Sequence, residues 1–200
     1  MMKVLALTGG IASGKSSALD LMRQMVPEFA SFDADASARH LLSQTDVIDQ
    51  LACLFPEAVV EGKIDRSVLR QIIFSHPPAK QKLESLLHPL IRKECLASLA
   101  QARKSGEVRL FVADIPLFYE NQFHFGQEYE LLIAAEPELQ IHRLQIRNGW
   151  QRAEALAVIE AQMSLVDKIQ LSKSVIWNQS GLDSLQLQLK MFLKHIGIEN

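Results

Sequence analysis

Gly9-Gly10-Ile11-Ala12-Ser13-Gly14-Lys15-Ser16 is the stretch of this chain best equipped for chemistry. It fits GxxxxGK[ST], the phosphate-binding loop. Backbone N–H groups must come close to phosphate oxygens, so the turn keeps its side chains small. Gly9, Gly10, Ala12, Ser13 and Gly14 would supply that main chain, with Ser17 just inside the helix that follows. The start of that helix aims its free N–H groups and its dipole at the anion. Lys15 would reach the β- and γ-phosphates, and the Ser16 hydroxyl would ligate Mg²⁺. Together these residues predict nucleoside triphosphate binding. The dinucleotide pattern GxGxxG is not matched.

Transfer of the terminal phosphoryl group asks for more: a carboxylate to orient the acceptor hydroxyl, a pocket for the acceptor, and cations over the moving group. Asp33 and Asp35, in the stretch Asp33-Ala34-Asp35, follow an apolar run and suit the first task; Asp at such a place also caps helices. Asp114 ends another apolar run, where it either holds Mg²⁺ through water or caps a loop. Arg143 and Arg147 are four apart and share one helix face, either over the phosphoryl group or in solvent, with Arg152 just beyond. His88 precedes Pro89 and either touches substrate or is packed. His40, His76, His124, His142 and His195 show no metal-ligand spacing.

The elements around these residues read as alternating strands and helices. Val4–Leu7 is apolar without alternation, as strands buried on both faces are; Phe29–Phe32, the apolar Arg109–Ala113, the buried run Glu130–Ala135 and Ser174–Trp177 read as the further strands. Lys15–Met25 and Leu182–Ile196 read as helices. This order predicts an α/β fold, a P-loop core with a five-stranded parallel sheet. From Asp35 to about Lys104 the signal is mostly helical. Leu83, Leu86, Leu87, Leu90 and Ile91 recur at helical spacing, Pro77 and Pro78 mark a start, and Pro89 predicts a kink or a break. That interval is too long for a crossover and is expected to be a helical acceptor-binding subdomain. The expected boundaries are a core of about 1–33, 105–137 and 172–200, a helical insert of about 34–104, and a small helical lid of about 138–171.

Bulk composition narrows the function classes. The chain has 200 residues, 48% of them hydrophobic, and a formal net charge of −2. That charge gives no footing for a nucleic-acid backbone partner. No apolar run approaches a membrane span, and the start of the chain lacks a signal-peptide pattern, so a cytoplasmic location is expected. Cys53 and Cys95 are expected to be reduced, buried thiols. A monomer or weak homo-oligomer is expected. The guanine-reading NKxD motif is absent, and Ile115-Pro116 after Asp114 leaves no place for a motor's catalytic glutamate. A small-molecule kinase is the reading that remains.

Several stretches then show a particular likeness: LTGGIASGKSS, FDADASAR, LRQIIFSHPPAKQKLESLLHPLI, VADIPLFYEN, PELQIHRLQIRNG and AQMSLVDKIQLSKSVIWNQSGLDSL. In this order they resemble the dephospho-coenzyme A kinase family over nearly the whole chain. The resemblance implies phosphorylation of the ribose 3′-hydroxyl of dephospho-coenzyme A by ATP with Mg²⁺, the last step of coenzyme A synthesis. It implies Asp33 as the base or orienting group with Asp35 as its neighbour, His88 and Pro89 in the acceptor site, and Arg143 and Arg147 as lid arginines. There are departures. Ala12 and Ser17 stand where the family often has Gly and Thr. Ala12 is expected to be tolerated if its φ is negative. Val158 replaces a frequent lid arginine, and Trp177 a frequent aspartate. Two other readings stand beside this one. One is a small kinase with a nucleoside or nucleotide acceptor. The other is a nucleotide binder that has lost transfer activity, with Val158 and Trp177 as its marks.

Overall fold

The first apolar run forms the middle of β1 (Lys3–Gly9), with Val4 to Leu7 fully buried. The computed structural model describes residues 1–198. Directly after the glycine-rich turn comes α1 (Lys15–Met25), which stops at Val26, ahead of Pro27. Next is β2 (Phe29–Asp33). Helices follow: α2 (Ala34–Leu41) and α3 (Thr45–Leu54), then a small ribbon of β3 (Val59–Val60) and β4 (Lys63–Ile64), then α4 (Arg66–Ser75) and α5 (Pro77–Ser105). The strands resume with β5 (Leu110–Asp114) and β6 (Tyr129–Ala134). Three helices come next, α6 (Pro137–Asn148), α7 (Arg152–Glu160) and α8 (Leu165–Leu171), and the chain ends with β7 (Val175–Trp177) and α9 (Leu182–His195).

Five strands make one sheet in the order β2-β5-β1-β6-β7, and every pairing is parallel. The strand runs lack polar alternation because the sheet is covered on both faces. Leu5, Leu7, Val112, Leu131 and Ile133 pack with Ala18 and Met22 of α1 and with Leu185, Leu189 and Leu193 of α9 in one cluster. Burying each such leucine stabilises the fold by about 1.5–3 kcal/mol. The register sets Leu7 opposite Asp114, and Asp114 opposite Asp33. Both carboxylates therefore finish neighbouring strands at the carboxyl edge, where sheets of this kind bind ligands.

The chain divides into two compact units, Met1–Asp33 with the part from Ser98 onward, and Ala34–Ala97. Within the second, Val47, Leu51, Phe55, Ala58 and Leu69 are buried. Asp65 caps α4 there by accepting from Ser67 and Val68 N–H at 2.9 and 3.1 Å; the Ser67 hydroxyl, donating at 2.7 Å, and then those two N–H groups hold its carboxyl below the usual range.

Three expectations need correction. Pro89 does not break the helix, since α5 runs from Pro77 to Ser105 with Pro89 inside it. The proline removes one N–H, but Leu83, Leu87, Ile91, Cys95 and Leu99 form a buried stripe at a spacing of four that carries the helix through. Cys53 is exposed, not buried; both cysteines are free. Burial pushes the Cys95 thiol up to about 12, so it behaves as an apolar side chain. The third correction, at Ala12, belongs to the loop below. Among the described residues no helix is long and apolar enough to cross a membrane.

Candidate active site

β1 delivers the chain into the loop at Gly9, and α1 leaves it at Lys15. Gly14 sits between them at φ 95, a left-handed conformation. It also faces a close neighbour: a Cβ there would lie 1.9 Å from Asn178 Nδ2. Only glycine meets both conditions. Ala12, by contrast, has φ 57. The condition on which the extra methyl was expected to be tolerated, a negative φ, is not met. The left-handed region costs an L-residue with a Cβ about 1–2 kcal/mol, so the loop holds strain at Ala12. Non-glycine residues in this region persist where their surroundings determine the conformation.

Those surroundings are polar side chains from far along the sequence. Gln140 on α6 donates through Nε2 to the Ile11 carbonyl at 2.6 Å, and Gln162 accepts the Ile11 N–H at 3.0 Å. Arg143 donates to the carbonyls of Ala12 and Ser13, each at 3.1 Å, and to that of Asn178 at 3.0 Å. Asn178, just past β7, donates through Nδ2 to the Ser13 carbonyl at 2.9 Å, while its own N–H is held by Ala134 at 2.8 Å. The loop's outward carbonyls are thus taken up by donors. Of the loop's N–H groups, that of Ile11 goes to Gln162 and that of Ser13 to the Gly10 carbonyl at 3.1 Å, and the first turn of α1 offers an anion the N–H groups that any helix N-terminus leaves free. Burial pulls the Arg143 guanidinium below its usual range, yet no ordinary pH neutralises it.

Lys15 forms an ion pair with Asp114 through Nζ and Oδ1, and both side chains are largely shielded from water. Asp33 is exposed beside Asp114 in the strand register. Ser16 is exposed at the head of α1. A hydroxyl and a carboxylate are hard oxygen donors. Mg²⁺ is commonly held by one or two such groups together with phosphate oxygens and retained waters. Ser16 and Asp114 therefore fit that ion. Among the described residues no group of three His, Cys, Asp or Glu side chains could hold a metal by itself.

The remaining candidates lie on α2, α5, α6 and α7. Arg147 is exposed and donates to its neighbour Asn148 at 2.8 Å. Arg152 forms an exposed fork with Glu138 at 2.6 and 2.7 Å, whose hydrogen bonds hold the Glu138 carboxyl below its usual range. In the second unit, Asp35 lies in the first turn of α2. His88 is half-buried on α5, with Pro89 exposed beside it. Burial lowers the His88 pKa first, the Arg92 charge adds to that, and Glu84 opposes it. The imidazole is therefore neutral at pH 7.

Gln140 and Asn178 were missed by sequence reasoning as loop-holding residues, and Gln162 was noted only inside a matching stretch. A signal existed in the QMS and NQS stretches, but a glutamine on a charged helix reads as solvent-facing.

Known proteins resemble this chain along its length. The sequence model described as dephospho-CoA kinase matches residues 3–184. A dephospho-CoA kinase of Symbiobacterium thermophilum is 35% identical over 192 residues, covering 94% of this chain and 79% of that one. A crystal structure from Thermus thermophilus superimposes with a TM-score of 0.84 at 32% identity, over 98% of each chain. The dephospho-CoA kinase from Campylobacter jejuni does so with a TM-score of 0.69 at 25% identity, again over 98% of each.

Proposed function

The chain belongs to the dephospho-CoA kinase family, and from that premise we propose that it transfers the γ-phosphoryl group of ATP to the ribose 3′-hydroxyl of dephospho-CoA. The products are CoA and ADP, and the step is the last of CoA synthesis. The observation that carries the proposal is the loop Gly9–Ser16, with its carbonyls tied back and Lys15 paired to Asp114 beside Asp33.

Phosphoryl transfer asks little covalent chemistry of a protein and much positioning. The main chain of Gly9, Gly10, Ala12, Ser13 and Gly14 and the hydroxyls of Ser16 and Ser17 receive the phosphates. Lys15 exchanges the Asp114 carboxylate for the β- and γ-phosphates, which frees Asp114. Ser16 and Asp114 are the residues that would hold Mg²⁺, whose part when bound is to neutralise phosphate charge. Asp33 accepts a hydrogen bond from the 3′-hydroxyl, aims its oxygen in line, and takes the proton as the bond to phosphorus forms. Arg143 places its charge against the loop, holding carbonyls away from the anion, and Arg147 contributes from the same helix. In the second unit Asp35, His88 and Pro89 bind the acceptor, His88 as a neutral donor or acceptor. The reaction needs one copy of the chain and no nucleic-acid or membrane partner.

The test is ADP release from ATP and Mg²⁺ with dephospho-CoA, adenosine or AMP as acceptor. Release that depends on dephospho-CoA is expected. Release with adenosine or AMP instead would assign a different acceptor, and ATP binding without release on any of them would leave a nucleotide binder.

A further inference from the structure

Lys168, on α8, is 2% exposed although it carries a charge. Its Nζ meets Glu120 Oε1 as an ion pair at 2.9 Å. Glu120 belongs to the turn that follows β5 and Asp114. The same Glu120 oxygen accepts the Met163 N–H at 3.2 Å. Met163 adjoins Gln162, whose side chain holds the Ile11 N–H at 3.0 Å. One connected path thus leads from a buried ammonium, through the β5 turn, to the turn between α7 and α8, and on to the phosphate loop. Neither Glu120 nor Lys168 has a part in the transfer step described above.

Stability alone is a poor reason for such a pair. Taking both charges out of water costs more than their attraction commonly returns, and apolar replacements of buried pairs are often neutral or stabilising. Glu120 Oε2 and Lys168 Nζ are also buried without a hydrogen-bond partner among the described residues, a further cost, so the ammonium is held by charge at 2.9 Å rather than by an aligned hydrogen bond. What the pair does supply is position. A carboxylate drawn to a lysine charge on one element and bonded to a main-chain N–H of another has one place to be, whereas an apolar contact can slide.

We propose that Glu120 and Lys168 are positioning residues for the nucleotide. They fix the turn that carries Gln162, and Gln162 fixes the Ile11 peptide and with it the orientation of the phosphate-binding N–H groups. The inference rests on the loop being the ATP site, as proposed above, and it is independent of which acceptor is used.

The experiment measures ATP affinity with Mg²⁺, without acceptor, alongside Tm. The proteins are the wild type, Lys168→Met, Glu120→Leu, the double variant and Glu120→Gln. Each of the first two variants is expected to lower Tm and to weaken ATP binding about tenfold. The double variant should regain Tm, because two apolar side chains strand no charge, yet keep the weakened affinity. Glu120→Gln, which retains an acceptor for the Met163 N–H, should lose less affinity than Glu120→Leu. Affinity that recovers together with Tm in the double variant, or that stays native in every variant, overturns the proposal. If the buried substitutions prevent folding, Gln162→Leu interrupts the same path nearer the surface. There a loss of about tenfold supports the proposal, and native affinity overturns it. A wild type that binds no ATP would refute the loop assignment itself, and this inference with it.

Discussion

The phosphate loop and the residues of the second unit proposed above to bind the acceptor are built on opposite plans. The loop from Gly9 to Ser16 is gripped by side chains more than a hundred positions away: Gln140, Arg143, Gln162 and Asn178. His88 instead has its electrostatic neighbours on its own helix, Glu84 and Arg92, one turn to either side. The contrast follows from what each must recognise. A phosphate is bound by main-chain N–H groups, and main chain holds a strained shape only if the rest of the fold enforces it. An acceptor is bound by side chains, which a regular helix can present without distorting itself. Loop function should therefore be fragile to distant substitutions, and acceptor binding fragile mainly to local ones.

The sharpest break in the comparison is at the reacting group. Asp33→Asn is expected to lower kcat by about 10²–10⁴-fold while leaving the KM for ATP near the wild-type value. A steady-state titration of each substrate would show it, and a near-native kcat would take Asp33 out of the transfer step. Lys15→Ala should cost about 10²–10³-fold in kcat, since it removes the cation that meets the β- and γ-phosphates. Turnover unchanged by that substitution would contradict the loop's role.

Gly14→Ala tests the grip itself. The new Cβ would collide with Asn178 Nδ2 and sit at φ 95. We expect a loss of about 2–3 kcal/mol, seen as a Tm lower by roughly 4–10 °C, together with weaker ATP binding. An unchanged Tm would mean that Asn178 is not needed where it stands. Ala12→Gly should act in the opposite direction, because φ 57 suits glycine. A gain of about 0.5–1 kcal/mol in stability is expected, readable as a small rise in Tm, and a fall would show that the strain is not there.

The smallest effect belongs to the second unit. Burial lowers the folded-state pKa of His88. Below its ordinary value of about 6.5 the unfolded chain binds the proton more readily. Stability should therefore fall as pH drops through 6.5 toward the lowered value, and be unaffected above it. His88→Gln should flatten that slope in Tm measured between pH 7.5 and 5.5. A slope identical to wild type would place the titration elsewhere.

Much of this was open to view in one dimension. The inner strands were legible because a parallel strand covered on both faces is a nearly continuous apolar run, as Val4–Leu7 and Leu110–Ala113 are, whereas β2 and β7 at the edges are only partly buried. The phosphate loop was legible because its requirements are local: small residues, one lysine and one hydroxyl at set spacing, then a helix. Asp33 and Asp114 could be named as candidates because each ends such a run. At the proline in α5 a kink or a break was expected, and the break does not occur. A local rule about a missing N–H was outweighed by the buried stripe Leu83, Leu87, Ile91, Cys95 and Leu99, whose stabilisation depends on what lies against it.

By itself, then, the sequence determined the chain order of the five sheet strands, the glycine-rich loop between β1 and α1 and the carboxylates that end β2 and β5, since each depends on residues adjacent in the chain. Only the tertiary structure decided that Ala12 is left-handed, that Asp114 meets Lys15, that Gln140, Gln162, Arg143 and Asn178 converge on the loop, and that Lys168 is buried against Glu120. The physical reason is that a polar side chain has no intrinsic preference between water and a buried partner of matching charge. Its location is settled by the fold that brings the partner within reach.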